Sequence, residues 1–217
     1  MAVYEVERSY PWAGAVTERV GQVCRMFGVT LDRLRELAAV HRCRVEMGAG
    51  QVVCIAGPSG AGKSVLLREL QGAVPAGQAV NLGQIPLAED RAVIDCFEGE
   101  VVGTIRLLSA VGLGDVFCLL NRPSRLSEGQ QYRFRLARAM AMGRAFVFAD
   151  EFASGLDRVT AAAVAFQVRR FASRTGTTFV VAACRDDILA DLSPDVLVVK
   201  DFSGEAEVIY RCTNSDL

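Results

Sequence analysis

The chain has 217 residues, about half of them apolar and 23% charged, with a formal net charge of −1. That length allows one sizeable α/β domain with at most a small appendage, and the composition excludes a disordered chain. The even charge balance gives no signature of a nucleic-acid or anionic-membrane surface, and no apolar run approaches the roughly eighteen residues of a membrane helix. If the protein works at a membrane, a partner takes it there.

Residues 1–42 read as an N-terminal strand and helical cap, set apart from residues 43–217. Tyr4 to Arg8 predict a short strand, broken by Pro11 and Gly14. Val16, Val20, Val23, Met26 and Phe27 then recur at helical spacing up to Gly28. Thr30 is a good N-cap for a second helix with Leu31, Leu34, Leu37 and Ala38 as its stripe, and the two helices are expected to pack on the core. His41, the single histidine, is expected in the core or at the surface rather than as a ligand. Seven cysteines (24, 43, 54, 96, 118, 184 and 212) form no CxxC pair and no metal-ligand spacing with it. They read as reduced thiols of a cytoplasmic protein, and the acidic N-terminus lacks the basic start of a signal peptide.

From Cys43 to Met47 the pattern alternates, Gly48 and Gly50 make a turn, and Val52 to Ala56 predict a buried strand. Gly57 to Ser64 follow, reading GPSGAGKS, a match to the phosphate-cradling pattern GxxxxGK(S/T) between a strand and a helix. In this reading the backbone through Gly57, Pro58, Ser59, Gly60, Ala61, Gly62, Lys63, Ser64 and Val65 wraps nucleotide phosphates. Lys63 reaches the β- and γ-oxygens and Ser64 ligates Mg²⁺. The helix is expected to end near Gly72, ahead of Pro75. Ala79 to Leu82 predict a short strand, and a helix is expected from Val93 to about Leu108.

Ser127 and Gln130 have the spacing of a capping box, which opens a long helix ending at Gly143. Ala145 to Ala149 then predict a buried parallel strand that delivers Asp150 and Glu151 at its carboxyl edge. There Asp150 can hold Mg²⁺ through water, and Glu151 can orient or deprotonate an attacking water. Asp195 to Lys200 and Glu207 to Tyr210 predict a closing strand pair around Gly204.

With these motifs in order, residues 43–210 resemble the nucleotide-binding domains of the ATP-binding cassette (ABC) family. Gly57 to Ser64 match its Walker A motif, and Leu126 to Gln130 its LSGGQ signature, with Glu128 in place of the first glycine. Phe146 to Asp150 match Walker B, Glu151 falls on the catalytic glutamate, and Ser154 to Asp157 match the D-loop. The resemblance implies an α/β P-loop NTPase with a mostly parallel core sheet, a shortened helical subdomain and the helical cap. It implies ATP and Mg²⁺ as ligands, and an ATP-dependent head-to-tail homodimer in which Ser127, Gly129 and Gln130 face the nucleotide held by the partner's Lys63.

Three departures from the family pattern stand out. Cys184 replaces the switch histidine, with Arg185 next to it, which implies slower turnover. Gln84 fits the Q-loop glutamine and a metal ligand, and equally fits the strand that precedes that loop, in a segment between Lys63 and Ser127 that is short for the family. The N-terminal helices are expected to replace the opening strands, leaving Tyr10, Trp12 and Phe27 as candidates to stack on adenine. These features resemble standalone soluble ABC ATPases more than importer subunits. Two other roles fit the motifs: an ATP-gated module with little hydrolysis, and the energising subunit of a membrane transporter. A small-molecule kinase leaves the signature and D-loop unused, and a DNA-repair ABC protein lacks room for a coiled coil.

Overall fold

A computed structural model describes residues 1–36, 38–183 and 186–211. Its centre is β3 (Val52–Ala56), all five residues of which are buried. A run of apolar residues without alternation is what a strand covered on both faces requires. Each of its branched side chains contributes about 1.5–3 kcal/mol by leaving water.

Around β3 lies a six-stranded sheet. β4 (Ala79–Asn81), β5 (Phe146–Ala149), β6 (Thr178–Ala183), β7 (Val196–Val199) and β8 (Glu207–Tyr210) join it in the order β4-β5-β6-β3-β7-β8. Every pairing is parallel except β7 with β8. The loops that follow β3, β4, β5, β6 and β7 therefore share one edge, the carboxyl edge where open α/β sheets place their ligands.

The N-terminal expectation is revised. β1 (Ala2–Pro11) pairs antiparallel with β2 (Ala38–Met47) along its whole length, as a separate two-stranded sheet. The opening strands are thus present, and β2 runs across the boundary drawn at residue 42. Its alternation extends back beyond Cys43, placing His41, Cys43, Val45 and Met47 on one face, and the last three are buried. Ala38 belongs to this strand rather than to a helical stripe, and Leu37 lies outside the described residues. Between the strands stand α1 (Glu18–Met26), capped by Thr17, and α2 (Leu31–Glu36), where Thr30 Oγ1 accepts from the Arg33 amide at 3.1 Å. The apolar stripe of α1 does not pack on the core. Val23, Met26 and Phe27 are exposed, the last two at 80% and 76%, and Cys24 is the residue of that helix that is buried.

α3 (Lys63–Ala73) follows the phosphate loop and buries Leu66, Leu67 and Leu70. The helix expected from Val93 begins instead at α4 (Val101–Ala110): the 3₁₀ turn at Ile94–Cys96 ends at Phe97, whose backbone is extended (φ −115°, ψ 145°), and Gly99 follows with φ 94°. α5 (Val116–Leu120) is short. α6 (Glu128–Ala141) opens with the expected capping box: Ser127 Oγ accepts from the Gln130 amide and Gln130 Oε1 from the Ser127 amide, at 3.4 and 3.0 Å. α7 (Arg158–Thr175) is capped by Asp157, whose carboxylate accepts from the Val159 and Thr160 amides at 3.0 Å.

Candidate functional site

The phosphate loop is shaped by close approach. At Gly57 a Cβ would stand 1.9 Å from the Lys200 carbonyl oxygen, at the end of β7. Gly57, Gly60 and Gly62 all have positive φ, a conformation that glycine alone adopts without strain. Lys63, 7% exposed, donates from Nζ to the carbonyls of Gly57 and Pro58 at 2.8 Å, so its ammonium is held over the loop it serves. The Ala61 amide donates to Pro58 within the loop at 3.3 Å. α3 begins at Gly62 with no side-chain cap, which leaves its first amides and the positive end of its dipole open to an anion.

Asp150 and Glu151 arrive from β5, one strand removed from β3. Glu151 has φ 47° and Ala153 φ 56°, left-handed values that cost a non-glycine residue about 1–3 kcal/mol each and persist where the surroundings enforce them. The surroundings here are a set of hydrogen bonds. Phe152 N–H donates to the Ala182 carbonyl at 2.8 Å, Ala153 N–H to Tyr132 Oη of α6 at 3.2 Å, and Glu151 N–H to the Asp150 carboxylate at 3.0 Å. Burial of the Tyr132 hydroxyl pushes its pKa well above the ordinary phenol range.

The two halves meet in one cleft of about 260 Å³, lined by Ser59, Gly60, Gly62, Lys63, Ser64, Val65, Asp150, Glu151 and Ala182. An open helix N-terminus and a buried ammonium on one wall, with two exposed carboxylates on the other, suit a triphosphate together with a hard divalent cation. Ser64 and Asp150 are the residues that would hold Mg²⁺.

Other expected site residues stand elsewhere. Gln84 follows β4 at the same sheet edge but does not line the cleft, and its side-chain oxygen faces Gln71 Nε2 of α3 at 3.5 Å. Ser127, Gly129 and Gln130 sit at the start of α6, also outside the cleft. There a Cβ on Gly129 would meet the Leu156 side chain at 3.1 Å, and Glu128 is exposed. Cys184 and Arg185 lie outside the described residues. Of the aromatic candidates, Phe27 is exposed on the insertion, and the Trp12 ring covers Gly14. Tyr10 stands edge-on to His41, with centroids 6.1 Å apart.

His41, expected in the core or at the surface, is half-buried beside the phosphate loop and is not among the residues that line the cleft. Its ring lies so close to the loop that a Cβ on Gly62 would come within 2.3 Å of Cε1 and 2.5 Å of Nδ1. The signal was available in the period-two pattern of β2, which puts residue 41 on the buried face. Phe202, 77% exposed, borders the loop from the other side, with a ring carbon 4.0 Å from where a Gly60 Cβ would stand.

A phosphate loop after the central strand and an acidic pair at the end of the strand beyond its neighbour define a P-loop nucleoside-triphosphate-binding protein. Comparison with known proteins narrows the class. The chain is 31% identical to the lipoprotein-releasing system ATP-binding protein LolD of Anaeromyxobacter dehalogenans, over 205 aligned positions that cover 75% of this chain and 82% of that relative. It is 29% identical to the methionine import ATP-binding protein MetN of Corynebacterium jeikeium, covering 76% of this chain and 54% of that one, so it spans about half the length of the methionine relative. Among solved structures, the ATP-binding cassette MJ0796 bound to ADP and Pi superposes with a TM-score of 0.61 at 16% identity, covering 79% of this chain and 91% of that one. MJ1267, an ATP-binding cassette of an ABC transporter, superposes with 0.63 at 20% identity, covering 81% and 86%. No protein-family model matches the chain. The chain belongs to the ATP-binding cassette family of nucleotide-binding domains.

Proposed function

We propose that this chain binds ATP and Mg²⁺ in the cleft between Lys63 and Glu151, closes on ATP as a head-to-tail dimer, hydrolyses the bond to the terminal phosphate, and passes the closure to a protein partner. The observation that carries this reading is the convergence of Lys63, Ser64, Asp150 and Glu151 on one cleft. In it, the amides of Gly60 to Val65 and the Lys63 ammonium bind and orient the phosphates. Ser64 and Asp150 would hold Mg²⁺, which would supply charge neutralisation to the phosphate chain. Glu151, held by its left-handed backbone at the cleft wall, accepts the proton of the attacking water. Of the three aromatic candidates Tyr10 is the one to meet adenine, being edge-on to His41, whose ring lies against Gly62 of the loop.

The signature residues Ser127, Gly129 and Gln130 act on a second copy of the chain, in a head-to-tail dimer formed on ATP. Their position outside the cleft supports this role. The ATPase domain takes in β1 and β2, whose Val6, Cys43, Val45 and Met47 share a core with Val53, Leu66 and Leu70, and the helices α1 and α2 are an insertion between those two strands. Cys184 slows turnover relative to a histidine at that position.

The named relatives serve lipoprotein release and methionine import, which favours a membrane subunit as the partner and the cytoplasmic face as the place of work. A cleft of about 250 Å³ beside Ile85, Pro86, Arg91, Phe134 and Arg138 is the surface such a partner would engage. Among the described residues, no helix is long and apolar enough to cross a membrane.

The test is steady-state ATP hydrolysis by the purified chain, with size-exclusion chromatography in the presence and absence of Mg-ATP. Glu151→Gln is expected to abolish turnover while retaining nucleotide and the dimer, and Lys63→Ala to abolish binding. Unchanged hydrolysis by Glu151→Gln would refute the assigned base. A wild-type chain that dimerises on ATP without turnover would convert the reading to an ATP-gated module, which the Glu128 and Cys184 departures anticipate.

A further inference from the structure

His41 reaches the phosphate loop from outside the Walker motif. The β1–β2 register sets it opposite Arg8, and its ring lies against Gly62. Its Nδ1 is buried and has no hydrogen-bond partner, and it is the one such side-chain nitrogen or oxygen among the described residues. A buried polar atom left unpaired costs free energy, so one held against a ligand loop points to a partner that arrives with the ligand.

The charges around the ring agree. From the end of β7, Lys200, 1% exposed, donates to the carbonyls of Asp201 and Ser203. From α3, Lys63 is held by the carbonyls of Gly57 and Pro58. From β1, Arg8 lies over the Tyr10 ring and pairs with Glu69 of α3 at 3.8 Å. The nearby carboxylates are engaged elsewhere: Glu7 with Arg42 at 2.9 Å, and Asp201 with the Ser203 amide at 2.7 Å. Burial first, and the Lys200 ammonium second, push the His41 pKa below the ordinary histidine value, so the resting imidazole is neutral at neutral pH.

We propose that His41 is a nucleotide-contacting residue whose Nδ1 takes up a proton from solvent and hydrogen-bonds the phosphate chain of a nucleotide seated in the loop. The inference rests on the nucleotide-binding reading above. The arriving phosphates oppose the Lys200 charge and favour the imidazolium, so binding raises the His41 pKa. Affinity is then greatest below the pKa of the free protein and is lost as pH rises through the higher pKa of the complex. A rise of one unit corresponds to about tenfold in Kd.

Because the sequence holds a single histidine, its imidazole C–H signals in a proton NMR spectrum are assigned without ambiguity. The experiment titrates them in the full chain, without ligand and with saturating Mg-ADP. Calorimetric titration with Mg-ADP runs in parallel for wild type, His41→Gln and Lys63→Ala, in two buffers of different ionisation enthalpy, between about pH 5.5 and 8.5. The expected result is a His41 pKa higher by about one unit in the complex, with proton uptake on binding. The wild-type Kd should weaken about tenfold over the range beyond the slope of His41→Gln, which carries the ligand's own titration. A pKa that stays put or falls in the complex, or equal slopes for wild type and His41→Gln, overturns the inference. If Lys63→Ala has lost binding that wild type retains, the nucleotide reading survives that result. Absence of binding by wild type overturns both. If His41→Gln fails to fold, the wild-type NMR titration alone decides.

Discussion

Removing a single oxygen from Tyr132 tests whether the turn that carries Glu151 is held by α6. The Ala153 amide is fully buried and donates to Tyr132 Oη at 3.2 Å, in a residue whose φ of 56° is unfavourable in isolation. Tyr132→Phe leaves that donor without an acceptor, at a cost of about 1–3 kcal/mol. The ring itself remains, so the edge-on contact with Phe152 at 6.3 Å survives and no cavity contributes. For a domain of this size each kcal/mol lowers Tm by about 2–4 °C, giving an expected drop of about 2–12 °C. Thermal unfolding followed by circular dichroism reads this directly. Steady-state kinetics add a second readout: kcat is expected to fall, because the Glu151 backbone loses a neighbouring restraint, while nucleotide affinity, set by the loop after β3, holds. An unchanged Tm would show that the amide finds another acceptor and that α6 does not hold the turn.

Gly57→Ala should unfold the loop or cost most of its nucleotide affinity, because the new Cβ would overlap the Lys200 carbonyl oxygen at 1.9 Å and both atoms belong to paired strand ends. Gly72→Ala, in α3 with nothing within 4 Å of the new Cβ, should instead stabilise the protein by about 0.5–1 kcal/mol in urea unfolding. The Asp157 carboxylate, held below the ordinary aspartate range first by its hydrogen bonds from Thr160, contributes its cap to α7 above the unfolded pKa of about 3.9. That contribution is lost as pH falls through the lower folded value, so acid unfolding should be less steep for Asp157→Asn over that window.

The parts of this chain that could be read in advance are those whose signal is local. The loop from Gly57 to Ser64 announces itself by residue type and by its two flanks, and the start of α6 by Ser127 and Gln130, because a capping box lies within four consecutive residues. The delivery of Asp150 and Glu151 followed from an apolar run ending at the right edge. What escaped depends on distance. The pairing of β1 with β2 joins Pro11 to Ala38 across an insertion of helical pattern, and local periodicity cannot see a partner strand. For the same reason the position of His41 against Gly62 could not be read from its neighbours in sequence. In α1 the stripe of Val23, Met26 and Phe27 was legible, but periodicity tells which face is apolar and not what covers it. In the segment before α4 the backbone turns extended at Phe97 and takes a positive φ at Gly99, which the apolar pattern reaching back to Val93 did not register.

One element carries more than its own fold. α6 has 14 residues, a beam of about 21 Å. Gly129 packs on Leu156 near its first turn, Tyr132 receives the Ala153 amide, Arg133 donates to the Gly112 carbonyl, and Arg135 Nε donates to the Ile85 carbonyl at 3.1 Å. The start of α6, the turn behind Glu151 and the groove at Ile85 are thus bolted to one girder. A tilt of this girder at Ile85 would carry Gly129 with it and move the acceptor of the Ala153 amide in the same stroke.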